Sequence, residues 1–208
     1  MKSKSELRRY VWDLMMNSGI AVFPLPPHGR IPNFKGASSA ARNVRKLEEY
    51  REAKCVFTGP DAVLKPLRSM ILADGKSLAY ATPHMKEFKI LDAGSDPHKV
   101  SIGHLISLGR SLDRPVEVAV IGSVAVDLKG NRVGKGSGYG DREIAYLKKL
   151  NPNILVGTLV HSVQVFEDLS HLMEPHDTPV DFIATEKELI KIDEKHRSKR
   201  RSGAISPS

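Results

Sequence analysis

Apolar positions in the first segment, Leu7, Val11, Leu14 and Met15, recur at steps of three and four. This spacing predicts an amphipathic helix over 4–18 that Gly19 closes. Ala41, Val44, Leu47 and Tyr50 fall three apart and predict a second helix over 37–53. A third is expected over 65–74, with Gly75 as its stop. Short apolar runs predict strands at CVFT (55–58), SLAYAT (77–82, ended by Pro83), 116–121, ILVGTLV (154–160) and VDFIAT (180–185). Further helices are expected over 100–110, over 141–150 and in KELIKID after the last strand. Residues 84–100 follow neither period.

Strands apolar on both faces, separated by helices, imply a mostly parallel sheet covered on both sides. The expected fold is therefore α/β, a three-layer α/β/α arrangement with a mostly parallel central sheet. A chain of 208 residues suits one such domain. Its expected span is 1–193, with 194–208 as a basic, disordered tail.

Composition narrows the function classes. The single cysteine, Cys55, excludes an internal disulfide framework and any cysteine-based zinc site. No apolar run approaches the roughly 18 residues that a membrane helix needs, and the N-terminus lacks the pattern of a signal peptide. A cytoplasmic location without a membrane partner is the expectation. The net charge of +8 is concentrated in KHRSKRR (195–201), which holds five Lys and Arg and no carboxylate. Such a run is first a solvated end. A phosphate-mediated contact with nucleic acid is its secondary reading, not the main role of the chain.

Two loops carry the candidate chemistry. Four prolines lie within 24–32, too many for a regular element, and Arg30, Asn33 and Lys35 border that stretch. Long loops of this kind often carry function, so these three residues are candidate substrate contacts, together with His161 at the end of a strand. The second loop reads GNRVGKGSGYGD, with Gly134, Gly136, Gly138 and Gly140 on alternate residues directly before a helix. It matches neither the dinucleotide fingerprint nor the P-loop pattern. Even so, successive backbone N–H groups freed of side chains, followed by a helix N-terminus, suit an anion. Arg132 and Lys135 add cations. Asp141 stands where a carboxylate caps a helix or holds Mg2+.

The same loop resembles the glycine-rich nucleotide loop of the 5-formyltetrahydrofolate cyclo-ligase (methenyltetrahydrofolate synthetase) family. Lys4-Ser5-Glu6-Leu7-Arg8 is similar to that family's N-terminal motif. VAVIGSVAVD (118–127), HSVQV (161–165) and HDTPVDFIAT (176–185) fall in matching order. IPNFKGA (31–37) resembles the methenyltetrahydrofolate-synthetase-domain-containing branch. The resemblance implies an ATP- and Mg2+-dependent ligase that phosphorylates the formyl oxygen of 5-formyltetrahydrofolate and closes the ring to 5,10-methenyltetrahydrofolate. It implies nucleotide contacts at Lys4, Arg8, Arg132, Gly134, Lys135, Gly136, Ser137, Gly138 and Tyr139, with Arg132 and Lys135 catalytic and Asp141 on the metal. Two departures keep an alternative open. Tyr139-Gly140-Asp141 replaces two aromatics before the aspartate, and FKGASSAARNVRKLEEY stands in place of the family's acidic, threonine-containing segment. The alternative is a nucleotide-binding domain of the same fold without folate turnover, acting on another pterin-like substrate or as an RNA- or protein-binding module. The sequence leaves the oligomeric state open.

Overall fold

A computed structural model of the chain describes residues 1–193, so the basic run at 195–201 and the tail reading attached to it lie outside the described residues. In chain order the elements are α1 (Lys4–Asn17), β1 (Ala21–Val22), β2 (Asn33–Phe34), α2 (Ala37–Val44), α3 (Glu48–Glu52), β3 (Cys55–Thr58), α4 (Lys65–Ala73), β4 (Ser77–Ala81), β5 (Phe88–Leu91), α5 (Ile102–Ser107), β6 (Arg110–Ser111) and β7 (Val118–Gly122). They continue with β8 (Ala125–Asp127), β9 (Arg132–Val133), α6 (Tyr139–Leu150), β10 (Leu155–Leu159), β11 (Val165–Phe166), β12 (Phe182–Ala184) and β13 (Leu189–Lys191).

Eight strands form the central sheet in the order β13-β12-β10-β7-β3-β4-β5-β6. The five middle strands, from β12 to β4, are mutually parallel, and antiparallel strands flank them on both edges. Every residue of β3, β4, β7 and β10 is buried, as expected of strands covered on both faces. Alternation along β7 divides the core. Val118 and Val120 pack with Leu7, Val11, Ala41 and Leu67 on the face of α1, α2 and α4, whereas Ala119 and Ile121 pack with Ile144 and Leu147 of α6 on the other. Helices thus cover both faces of the sheet, the three-layer α/β arrangement.

Several local expectations are corrected. The helix expected over 37–53 is two helices. In a continuous α-helix, residues three apart drift by about 60° per step, so Ala41, Val44, Leu47 and Tyr50 could not all point inward. A tight turn after Val44 and an extended Leu47 restore the common face, with Leu47 and Tyr50 fully buried. The helix expected over 100–110 is only α5, and Arg110 already belongs to β6. KELIKID is not helical. The Thr185 hydroxyl accepts from the N–H groups of Lys187 and Glu188 and tightens a hairpin, so that β13 returns antiparallel along β12. The proline stretch is a loop as expected, closed at its base by the β1–β2 ladder.

Candidate active site

The chain passes from β3 to β4 on one side and later from β7 to β10 on the other. That reversal makes a crevice at the carboxyl ends of β3 and β7, where ligands collect in open α/β sheets. A cavity of about 890 Å³ lies there, walled by the ends of these strands, the glycine loop, the start of α6 and the 174–178 turn.

The glycine loop runs directly into the start of α6, as its position before a helix predicts. Gly136 and Gly138 take positive φ (106° and 70°), and Gly138 begins α6 without any side-chain cap, leaving the first-turn N–H groups to the cavity. Arg132 is buried beneath the loop. Its Nη1 donates to the Gly122 carbonyl (3.1 Å) and its Nη2 to Asp141 Oδ1 (2.8 Å), while its buried Nε has no partner among the described residues. Arg8, one turn after Lys4 on α1, donates from Nε to the Gly134 carbonyl (2.7 Å). Burial holds its pKa below the usual arginine value. Lys135 also lines the cavity and makes no ion pair among the described residues.

Other expected residues are engaged in ways the sequence did not signal. Lys4 Nζ donates to Asp177 (2.6 and 2.8 Å) and Glu174 (2.6 Å). Glu174, His176 and Asp177 gather potential ligand atoms within 4.8 Å of one another, but Lys4 already neutralises the two carboxylates. Asp141 Oδ1 accepts from both Arg132 and the Thr178 N–H, which leaves its second oxygen for a cation. The Tyr139 hydroxyl meets His84 Nδ1 (3.0 Å), and the Arg142 guanidinium lies 4.6 Å from the Tyr139 ring centre. His84 and Met85 both hold positive φ (60° and 53°) at the cavity rim. Strain in non-glycine residues is characteristic of functional sites.

Arg30, Asn33, Lys35 and His161 are not among the residues that line this cavity. Asn33 donates to the Phe23 carbonyl across the proline loop, and the Arg30 carbonyl accepts from Trp12. His161 caps the turn at 162–164 through Nδ1 and stands edge-on to Phe34. Burial lowers its pKa against the pull of Glu186. From the 24–35 stretch only Ile31 reaches the cavity.

Two carboxyl groups escaped the sequence reading. Asp61 follows β3, and its carboxyl is pushed up by burial against the pull of Lys135, Arg68 and Arg132. Glu143 sits on α6 at 4% exposure, its pKa raised to about 8 by burial first and then by Asp61. Beneath them the buried Arg68 donates to the carbonyls of Gly59 (2.9 Å), Asp61 (3.1 Å) and Val100 (3.2 Å), fixing the turn that presents Asp61. The available signals were a polar residue just past a parallel strand and a charged residue on the apolar face of a helix.

Glu143 makes stability depend on pH. Its folded pKa lies above the ordinary 4.5, so the unfolded chain releases this proton first and stability falls as pH rises from about 4.5 to about 8. Glu143→Gln should flatten that decline. The gain at pH 8 relative to pH 5 should be about 2 kcal/mol after allowance for solvent in the open cavity. Urea unfolding at the two pH values measures it, and parallel profiles for variant and wild type would refute the assignment.

The profile of the 5-formyltetrahydrofolate cyclo-ligase family matches residues 1–186. The methenyltetrahydrofolate synthase domain-containing protein of Bos taurus is 36% identical over 203 residues, covering 90% of this chain and 53% of that protein. The chain thus spans about half the length of the curated relatives it matches. Among solved structures, 5,10-methenyltetrahydrofolate synthetase from Aquifex aeolicus superposes with a TM-score of 0.62 at 25% identity, over 91% of this chain and 92% of that one. The Mycoplasma pneumoniae synthetase shares the fold, with a TM-score of 0.55 at 16% identity over 88% and 98% of the two chains.

Proposed function

Because the chain belongs to the 5-formyltetrahydrofolate cyclo-ligase family, we propose that it is a cytoplasmic, ATP- and Mg2+-dependent ligase that converts 5-formyltetrahydrofolate to 5,10-methenyltetrahydrofolate. Residues 1–193 would act as one unit. One observation carries the reading: Lys4, Arg8, Arg132 and Lys135 converge with an uncapped helix N-terminus on one cavity at the switch point of the sheet.

Phosphoryl transfer needs positioning and charge stabilisation more than acid or base. The first-turn N–H groups of α6 and the peptides of Gly134, Gly136, Ser137 and Gly138 receive phosphate oxygens. Lys135, in no ion pair among the described residues, meets the phosphoryl group in transfer. Arg132 is held rigidly by Gly122 and Asp141, and its free Nε points to a further acceptor. Arg8, tied to the Gly134 carbonyl, holds the loop and adds charge, and Tyr139 packs at the rim. The free oxygen of Asp141 suits magnesium, which when bound would neutralise phosphate charge. Transfer of the γ-phosphoryl group to the formyl oxygen, with ADP as the leaving group, would turn that oxygen into a leaving group in its own right. The substrate's amine nitrogen then bonds to the formyl carbon, the carbon–oxygen bond breaks, and phosphate departs with the amine proton released.

The test is to incubate the protein with 5-formyltetrahydrofolate, ATP and magnesium, and to follow the absorbance of the methenyl product. Turnover that requires all three components supports the reading, and its absence refutes it. A second reading, nucleotide binding without folate turnover, is favoured by the position of Arg30, Asn33, Lys35 and His161 outside the cavity. It requires Mg-ATP binding with no methenyl product.

A further inference from the structure

Glu143 is a group that phosphate handling does not use. It shares the buried face of α6 with Ile144 and Leu147, but it lines the cavity while they enter the core. At 4% exposure its carboxyl has no hydrogen-bond or ion-pair partner among the described residues. Arg132, whose charge it feels, has its two Nη atoms committed to Gly122 and Asp141 and makes no hydrogen bond to Glu143. A carboxyl largely withdrawn from water without a protein donor is costly, and a leucine or methionine at this helix position would avoid that cost.

A Cβ on Gly59 would stand 3.7 Å from Glu143 Oε2, 3.5 Å from Asp61 Oδ2 and 3.6 Å from Leu64 Cδ1, so the two carboxyl groups approach each other around a glycine and an apolar methyl, and both residues line the cavity. Full cations are poorly suited to this part of the cavity, because Lys135 and Arg132 already supply positive potential there. Adjacent acceptors in a positive field suit neutral N–H donors, and best a heterocycle edge bearing two of them.

We propose that Glu143 is a specificity-determining residue whose carboxyl accepts a hydrogen bond from an N–H of the organic ligand seated beside the phosphate cradle, an amino-substituted nitrogen heterocycle. The inference rests on the proposed function in taking this cavity as the substrate site, but not on the substrate being a folate. A site built around a hydrogen-bond partner rejects analogues that lack it far more strongly than an apolar pocket rejects a changed shape.

The test uses two probes with magnesium and a non-hydrolysable ATP analogue present. Ligand-observed NMR compares 2,4-diaminopyrimidine with 2,4-dimethylpyrimidine, similar in shape but without N–H, and calorimetry follows 5-formyltetrahydrofolate. Wild type should bind the diamino compound at least tenfold more tightly than the dimethyl one. Glu143→Leu should abolish that preference and leave nucleotide affinity within about twofold. Glu143→Gln keeps an acceptor oxygen and should retain part of the preference, which also controls for folding. Equal binding of both pyrimidines by wild type, or a preference intact in Glu143→Leu, overturns the proposal. If 5-formyltetrahydrofolate fails to bind while the pyrimidine preference follows Glu143, the folate reading falls and this one stands.

Discussion

If the chain catalyses the proposed reaction, Lys135→Ala should lower its kcat by about 10²–10³, roughly 3–4 kcal/mol of transition-state stabilisation. The thermal midpoint should stay within a degree or two. Lys135 lines the cavity between Arg132 and the start of α6 yet makes no ion pair among the described residues, so its loss breaks none there. Its charge acts on Asp61 and Glu143 through space, without an ion pair, and is available to a phosphate in the proposed site. Steady-state kinetics separate two roles. A fall in kcat and kcat/KM together means that the ammonium acts on the phosphoryl group in transfer, whereas a higher KM for ATP at unchanged kcat means uniform binding and overturns the catalytic assignment. Lys4→Ala makes the contrast. That ammonium holds Asp177 and Glu174 together, so removing it exposes a like-charged pair and should disturb the 174–178 turn as well as the nucleotide.

The parallel strands and the glycine loop were legible because their signals are local. Apolar runs such as CVFT and ILVGTLV became fully buried strands, and the alternate glycines did precede a helix. What failed depended on partners distant in the chain. Ala41 to Tyr50 looked helical by spacing, and only packing against the sheet shows why the helix must break at Leu47. KELIKID has helical composition, but an open edge of β12 and the Thr185 turn draw it into the sheet. Propensity yields to tertiary context in both places. In the site, Lys4 and Arg8 were legible through the family motif, while Asp61 and Glu143 were not. Their importance comes from burial beside each other across 82 positions of sequence, and no spacing rule encodes that. The proline loop misled for the converse reason. Asn33 is spent on the loop's own backbone, His28 pairs with Asp13 of α1, and Ile31 alone reaches the cavity.

Gly157→Ala should be among the most damaging single changes in the core. Gly157 lies in the middle of β10, opposite Phe182 on β12. A Cβ there would fall inside the Phe182 ring, which is itself fully buried between β10 and α2. The alanine cannot be accommodated by local relaxation, because the ring closes over the strand and the interior is close-packed. Phe182 must swing out or β12 must separate from β10. Either outcome forfeits much of a buried phenylalanine, about 3–4 kcal/mol, which lowers the melting temperature by roughly 10 °C for a chain of this size. Differential scanning calorimetry measures the loss. Phe182→Leu alone should cost less, and combined with Gly157→Ala it should restore at least half of the stability, giving a coupling energy above about 1 kcal/mol between the two sites. If the double variant is instead as unstable as the sum of the singles, the ring is not what requires glycine at this position. β10 pairs with both β7 and β12, so the lesion would loosen the sheet beside the strand that ends at Gly122, where Arg132 is anchored. Activity at temperatures well below the new midpoint should therefore also fall, through the arginine's lost position.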